Sequence, residues 1–415
     1  MSRSPETSSS PRLARGELAI ALSAAVTFGA LLASYSALRP IRDALVTGGD
    51  PEHIPWLFSA TFAAMLVLAP MWARLVAKGP RRVVPLAFHA FALCALGFAL
   101  AYRAELAPVA IGRVFYVWSA VFNLFVVSVF WSLLADLVGP QLARRAYGPI
   151  AAGGTVGGIL GPLATKGLVG SIGVTGVLAI SAALLELAAI GVIAVRRAGR
   201  DVERPVEADP PMPGGAFDGL LHVVRTPQLR ALVAYVLCTA TAATFVYLAK
   251  AHIGHDLVPD RTARTELFAS IDLWSNIAVL VVQLALAGPL LGALGPGVVL
   301  CVLPIVQGLG IAALAFAPST MVLAIVLVAG GAATHGLTRP ARELLFTVMR
   351  RDDKYRAKNA IDTVGYRFGD VGSVWLGELL GATGAAFAAL PLAAVWLALA
   401  TRLGAGFRRA QEAGS

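Results

Sequence analysis

The sequence predicts an all-α polytopic membrane protein of twelve transmembrane helices in two six-helix halves. Three observations predict it. The 415 residues are 57% hydrophobic and only 14% charged, with a mean hydropathy of +0.74, whereas a soluble domain carries about 25% charged residues. Apolar stretches of about 20 residues, the length needed to cross a bilayer core, recur along the whole chain. One long polar insertion, 196–230, divides them six and six; it is rich in charge and proline (Arg204-Pro205, Asp209-Pro210-Pro211, Pro213-Gly214-Gly215). The 42 glycines and 24 prolines follow no collagen period, and no long polar tract occurs, so a fibre or a disordered chain is excluded.

The expected spans run 17–38, 55–77, 83–104, 109–138, 147–169, 174–195, 231–250, 266–290, 297–317, 319–349, 359–380 and 384–404. The first follows Arg12 and Arg15, but its apolar run is longer than the core of a cleaved signal, so it reads as a retained span. Short connections contain turn formers such as Lys78-Gly79-Pro80 and Gly295-Pro296. The expected organisation is a cytoplasmic N-terminal tail (1–16), a first half (17–195), a cytoplasmic central loop (196–230), a second half (231–404) and a cytoplasmic C-terminal tail (405–415). Cys94, Cys238 and Cys301 all fall inside spans and show neither metal spacing nor a disulfide framework.

Charge gives the orientation. Assigning each Lys or Arg to its nearest membrane face places 23 on the side of the termini and 8 on the other, with Arg339, Arg342 and Arg367 inside spans. Cytoplasmic segments are the ones enriched in Lys and Arg, so both termini are expected in the cytoplasm. The net charge of +10 is therefore mostly topological and does not imply nucleic-acid binding.

The halves echo each other. A shift of 211 residues lays Arg145 on Arg356, Ile150 on Ile361, Gly154 on Gly365, Gly158 on Gly369 and Gly161 on Gly372. A sharper echo pairs Arg39-Pro40-Ile41-Arg42-Asp43 at the end of span 1 with Arg339-Pro340-Ala341-Arg342-Glu343 late in span 10. Twelve spans split in this way resemble the major facilitator superfamily, in which spans 1, 4, 7 and 10 line a central cavity. That resemblance implies that the two motifs sit near opposite mouths of one cavity. In each motif the first arginine, the second arginine and the acid fall at i, i+3 and i+4, on one helical face. A charge facing lipid is costly, so three roles fit: salt bridges that gate the two halves, guanidinium contact with an anionic substrate, or snorkelling to a helix end.

Other polar residues within spans are few. His335 lies one turn before Arg339, Lys250 and Arg113 lie near the outer ends of spans 7 and 4, and Asn123 stands in span 4 among Trp118, Phe122 and Phe125. Candidate coupling or charge-pair residues are Glu186 in span 6, Asp272 beside Asn276 in span 8, and Asp362, Arg367 and Asp370 in span 11; Arg367 and Asp370, at i and i+3, can neutralise one another. Span 7 adds Thr239, Thr241 and Thr244. The glycines of span 5 (Gly153, Gly157, Gly161 among them) read as a close helix–helix contact.

Catalytic constellations do not occur. The run His252-x-x-His255-Asp256 has no further spaced ligand, and there is no phosphate loop or nucleophile elbow. The expectation is a non-enzyme without cofactor or metal, its partners being the lipid bilayer and a small anionic solute, with no nucleic acid and no stable protein partner implied.

One further resemblance is specific. Tyr35 with Leu38 to Asp43, then Pro55-Trp56-Leu57-Phe58, Val121-Phe122-Asn123-Leu124-Phe125, Phe130-Trp131-Ser132, the glycine-rich 150–161 helix, and Lys354 to Asn359 with Asp362-Thr363 resemble the bacterial branch of the ATP/ADP antiporter (nucleotide transporter) family. The resemblance implies a major-facilitator-type carrier that exchanges nucleotides, ATP for ADP in its best-known members. The alternative is a proton-coupled transporter of another small solute, with Glu186 or Asp370 as the proton site.

Overall fold

A computed structural model describes residues 15–49, 51–77, 80–138, 140–199, 226–348 and 366–414. These residues are helical almost throughout. Span 1 is the helix Arg15–Thr47, span 2 Ile54–Ala77, span 3 Pro80–Arg103, span 4 Pro108–Leu137 and span 7 Pro227–Leu257. The remaining spans arise from longer stretches. Pro140–Ala198 holds spans 5 and 6, Arg261–Phe316 holds spans 8 and 9, and Tyr366–Gly414 holds spans 11 and 12. Span 10 runs from Thr320 to Leu345. Among the described residues, eight continuous stretches are long and apolar enough to cross a membrane.

The long stretches are folded back by glycine. Gly173 (φ 66°, ψ 179°), Gly295 (φ 73°, ψ 167°) and Gly381 (φ 64°, ψ 177°) share one conformation. An L side chain is strained there, so each glycine reverses the chain within a single residue. This is why Pro140–Ala198, at 59 residues and 1.5 Å per residue, crosses a ~30 Å hydrocarbon core twice.

Several boundaries differ from expectation. Span 1 continues past residue 38 to Thr47, through Pro40, because the charges expected to end it find partners on span 7 and span 8 and can stay helical. Span 7 likewise extends beyond 250 to Leu257, and the tail expected from 405 continues the last helix to Gly414. The first residues of span 11, with Asp362 and the Lys354–Asn359 run, lie outside the described residues, as does the central loop from 200 to 225.

Each half has its own apolar core. One cluster is built from residues between Ile20 and Val195, the other from residues between Leu229 and Phe407. Within the first half, spans 1 and 5 approach until backbones touch: a Cβ added at Gly153, Gly157 or Gly161 would strike the backbone at Ala25, Gly29 or Ala33 respectively. The four-residue period on both helices is what keeps the ladder in register.

Span 10 contains a structural irregularity with a sequence cause. Pro340 has no N–H and its ring crowds the carbonyl one turn back, so the preceding turn, Ala332–Thr338, widens to a π-helix. The Arg339 N–H then donates to Thr334 O, five residues back, which frees the His335 carbonyl. Gln283 of span 8 takes up that acceptor, its Nε2 donating to His335 O at 3.1 Å. Gln283 itself lies in a second π turn, Val282–Ala287.

Candidate functional site

The end of span 1 is where the two halves meet. Arg42 donates from Nε and Nη2 to Asp43 Oδ1 at 2.8 and 2.7 Å. The other oxygen of Asp43 takes Lys250 Nζ from span 7, so one buried carboxylate holds a cation from each half. Asp43 and Lys250 are 2% and 4% exposed. Lys250 also sits 4.2 Å from the centre of the Phe268 ring, and Arg42 lies 5.3 Å from that of Tyr116. One turn deeper, Arg39 Nη2 reaches Asp272 Oδ1 of span 8 at 3.2 Å.

A fourth cation closes the same end without an acid. Arg264 donates from Nε to Ala44 O at 3.0 Å, and from Nη1 to Gly254 O and Val258 O at 3.3 and 2.9 Å. These carbonyls lie at the C-terminal ends of span 1 and span 7, the negative ends of the helix dipoles, where Ala44 O also accepts from the Gly48 N–H at 3.1 Å. A single guanidinium thus caps one helix from each half, and Gly48, with no side chain, leaves the space it occupies.

Further links between the halves follow the same side. Trp375 Nε1 of span 11 donates to Ser59 Oγ of span 2 at 3.0 Å, and the rings of Trp56 and Trp375 meet edge to face at 5.1 Å. Phe58 and Tyr247 pair at 5.5 Å, and Arg261 lies over Tyr102 at 5.5 Å. Deepest of all, Asn276 Nδ2 donates to Gly158 O at 2.6 Å. Among the described residues, these polar and aromatic links join the halves from the middle of the spans outward to the face opposite the termini.

Below this lock the interior opens into two lobes on either side of the contact between spans 1 and 7. One is charged: Arg39, Asp43, Lys250, Asp272, Asn276, Gln307 and His335 line it. The other is aromatic, with Tyr35, Phe58, Phe62 and Tyr116, joined by Asn123, Thr61, Thr244 and Asp370. Arg42, Ala243 and Tyr247 line both.

The expected residues therefore divide. Arg39, Arg42, Asp43, Asp272, His335, Asn123 and Asp370 all border the interior. Arg339 is exposed one turn beyond His335, and Arg342 and Glu343 are half-buried near the opposite end of span 10. Glu186 lines neither lobe; it pairs with His89 of span 3 at 2.7 Å on the outer surface of the first half. Arg367 lies in span 11, but its side chain is outside the described residues, as is the whole of Asp362.

Sequence reasoning left two cations of the lock unassigned. It placed Lys250 near the outer end of span 7 without a partner, and Arg264 in the connection before span 8, which was expected to begin at 266. The available signal was the position of Lys250 beyond a long apolar run of span 7, a place where a membrane cation has to have a partner.

Comparison with known proteins agrees with this architecture. The family model described as Major Facilitator Superfamily matches residues 18–349. No curated protein matches the chain at the sequence level. The fold is similar to that of the nucleoside transporter NupG, in a mutant form, with TM-score 0.67, 13% identity, and 93% of this chain and 99% of that chain covered. A bacterial homologue of the human lysosomal transporter Spinster, inward-facing and unoccupied, aligns with TM-score 0.59 at 13% identity over 97% and 98% of the two chains. A bacterial homologue of the iron transporter ferroportin, also inward-facing, aligns with TM-score 0.61 at 13% identity over 96% and 99%. Twelve helical spans, two separately cored halves locked at one end, a polar interior between them and the family match lead to one statement: the chain belongs to the major facilitator superfamily and is a multi-pass membrane transporter, not an enzyme.

Proposed function

We propose that the protein is a secondary active transporter that exchanges nucleotides or related phosphorylated organic anions across the bacterial inner membrane by alternating access. The observation that carries this reading is the pair of lobes sharing Arg42. In the charged lobe Arg39, Arg42 and Lys250 face only Asp43 and Asp272, an excess of one positive charge before His335 is counted. The Arg42 guanidinium, on the wall shared by the two lobes, suits phosphate oxygens, and the aromatic lobe beside it suits a flat base, with Asn123 and Asp370 as acceptors for its N–H groups.

In this reading Lys250–Asp43, Arg39–Asp272 and the Arg264 clamp form the outer gate. With the termini in the cytoplasm, closure at the opposite face makes this the inward-facing state. Arg339, Arg342 and Glu343 would serve the inner gate as the halves rock. Against the proton-coupled alternative stands the position of Glu186, which lines neither lobe and pairs with His89. Asp370 is the residue on which it would then rest.

The test is thermal stability of the purified protein against ATP, ADP, other nucleotides, inorganic phosphate, sugar phosphates and dicarboxylates, followed by exchange in liposomes. A ligand that binds the folded state alone raises apparent stability by mass action. Nucleotides should raise it selectively. Arg39→Ala and Arg339→Ala should each impair exchange while leaving the ligand shift largely intact. Equal loss of both would assign these residues to the substrate site, and a shift with dicarboxylates alone would discard the nucleotide reading.

A further inference from the structure

A polar pair faces hydrocarbon at mid-membrane, away from the transport path. His89 Nδ1 and Glu186 Oε2 lie 2.7 Å apart, and their side chains are 49% and 44% exposed. Glu186 stands 13 residues after the Gly173 break and 12 before Ala198, the middle of span 6. Around the pair, the exposed side chains are Leu86 and Leu93 on span 3, and Leu187 and Ile190 on span 6. Such a surface meets acyl chains, and no headgroup reaches that depth. Ionisable residues within a bilayer normally turn to the protein interior or find a partner, so an exposed pair calls for something polar to cover it.

The pair specifies its own cover. Among the described residues its one hydrogen bond uses His89 Nδ1 and Glu186 Oε2, leaving His89 Nε2 and Glu186 Oε1 open. One is a nitrogen able to donate, the other an acceptor. A twofold axis beside spans 3 and 6 brings His89 Nε2 of one copy onto Glu186 Oε1 of the next, and the reverse contact follows by symmetry. Span 3 also presents small residues beside His89: Ala90, Cys94 and Gly97 are exposed, and a Cβ at Gly97 would meet nothing within 4 Å. Small residues permit close helix approach and polar side chains then hold the helices together.

We propose that spans 3 and 6 form a homodimer interface in which His89 and Glu186 of two copies close a ring of four polar side chains. The proposal is independent of what the central cavity carries. Its test is stepwise photobleaching of the fluorescently tagged full-length protein in lipid vesicles over a series of protein-to-lipid dilutions. The wild type should bleach in two steps down the series. The His89→Leu/Glu186→Leu double variant, which suits lipid, should fall to the single-step level of random co-occupancy. The exchanged pair His89→Glu/Glu186→His should keep two steps. Gly97→Phe, a bulky change on an exposed position that a single copy tolerates, should abolish them and stands in if the double variant fails to fold. Single-step bleaching of the wild type, two steps undiminished in both the leucine and the phenylalanine variants, or a different protein bound in place of the second copy would each overturn the proposal.

Discussion

At the scale of single residues, the lock at the end of span 1 depends on Asp43. Its carboxylate is buried and shared by Arg42 from its own half and Lys250 from the other. Burying charges is costly, and the cost is offset only while the set is complete. Lys250→Met leaves Asp43 with Arg42 alone and should lower unfolding stability by on the order of 3 kcal/mol. The double variant Asp43→Asn/Lys250→Met should cost less than the sum of the two single changes, as read in a double-mutant cycle by thermal or denaturant unfolding in detergent. An additive result would mean that the two groups do not couple. Arg264→Lys should also weaken the lock, since an ammonium cannot reproduce the fork that reaches three carbonyls on two helices.

The elements are shaped by residues that lack something. Glycine supplies close approach in span 5 and reversal at 173, 295 and 381, and proline forces the π turn of span 10. Gly157→Leu should separate spans 1 and 5 and abolish folded yield, because the group it would strike is backbone and cannot rotate away. Gly173→Ala meets no neighbour but adopts a strained φ, so it should fold with a loss of about 1–3 kcal/mol. Size-exclusion monodispersity of the first and a lowered melting temperature of the second separate the two mechanisms. A Gly157→Leu protein as stable as the wild type would refute the backbone contact. The small-residue pattern was legible in the sequence because its four-residue spacing matches the helix. The π turn was not, because its stabiliser, Gln283, is remote in sequence.

For the whole molecule, the question is motion between halves with separate cores. All the links between them described above lie from mid-span to the face opposite the termini, so alternating access has to break those links together. Cysteines at Ser59 and Trp375, positions whose side chains meet across the halves, should be joined by a reducible bifunctional thiol cross-linker that spans the space of the lost indole, arresting transport, with activity recovered on reduction. Transport that continues with the cross-link fully formed would show that this end does not open. Among the candidate residues, the sequence placed Arg39, Arg42 and Asp43 on one helical face, but not their partners: Asp43 is shared with Lys250 of span 7, and Arg39 reaches Asp272 of span 8.

Composition and the periodic recurrence of apolar stretches determined that the chain is a helical membrane protein of twelve spans, because a bilayer demands that every backbone group be satisfied within the segment. The near-identity of the two arginine motifs and the span 5 glycines was likewise readable, since helical spacing is local. Only the tertiary structure decided which charges meet. Lys250 with Asp43, Arg264 with the ends of two helices and Glu186 with His89 join residues 207, 220 and 97 positions apart. The first two depend on how the halves are set against one another and the third on how spans 3 and 6 pack within one half, geometries that no window of neighbouring residues contains.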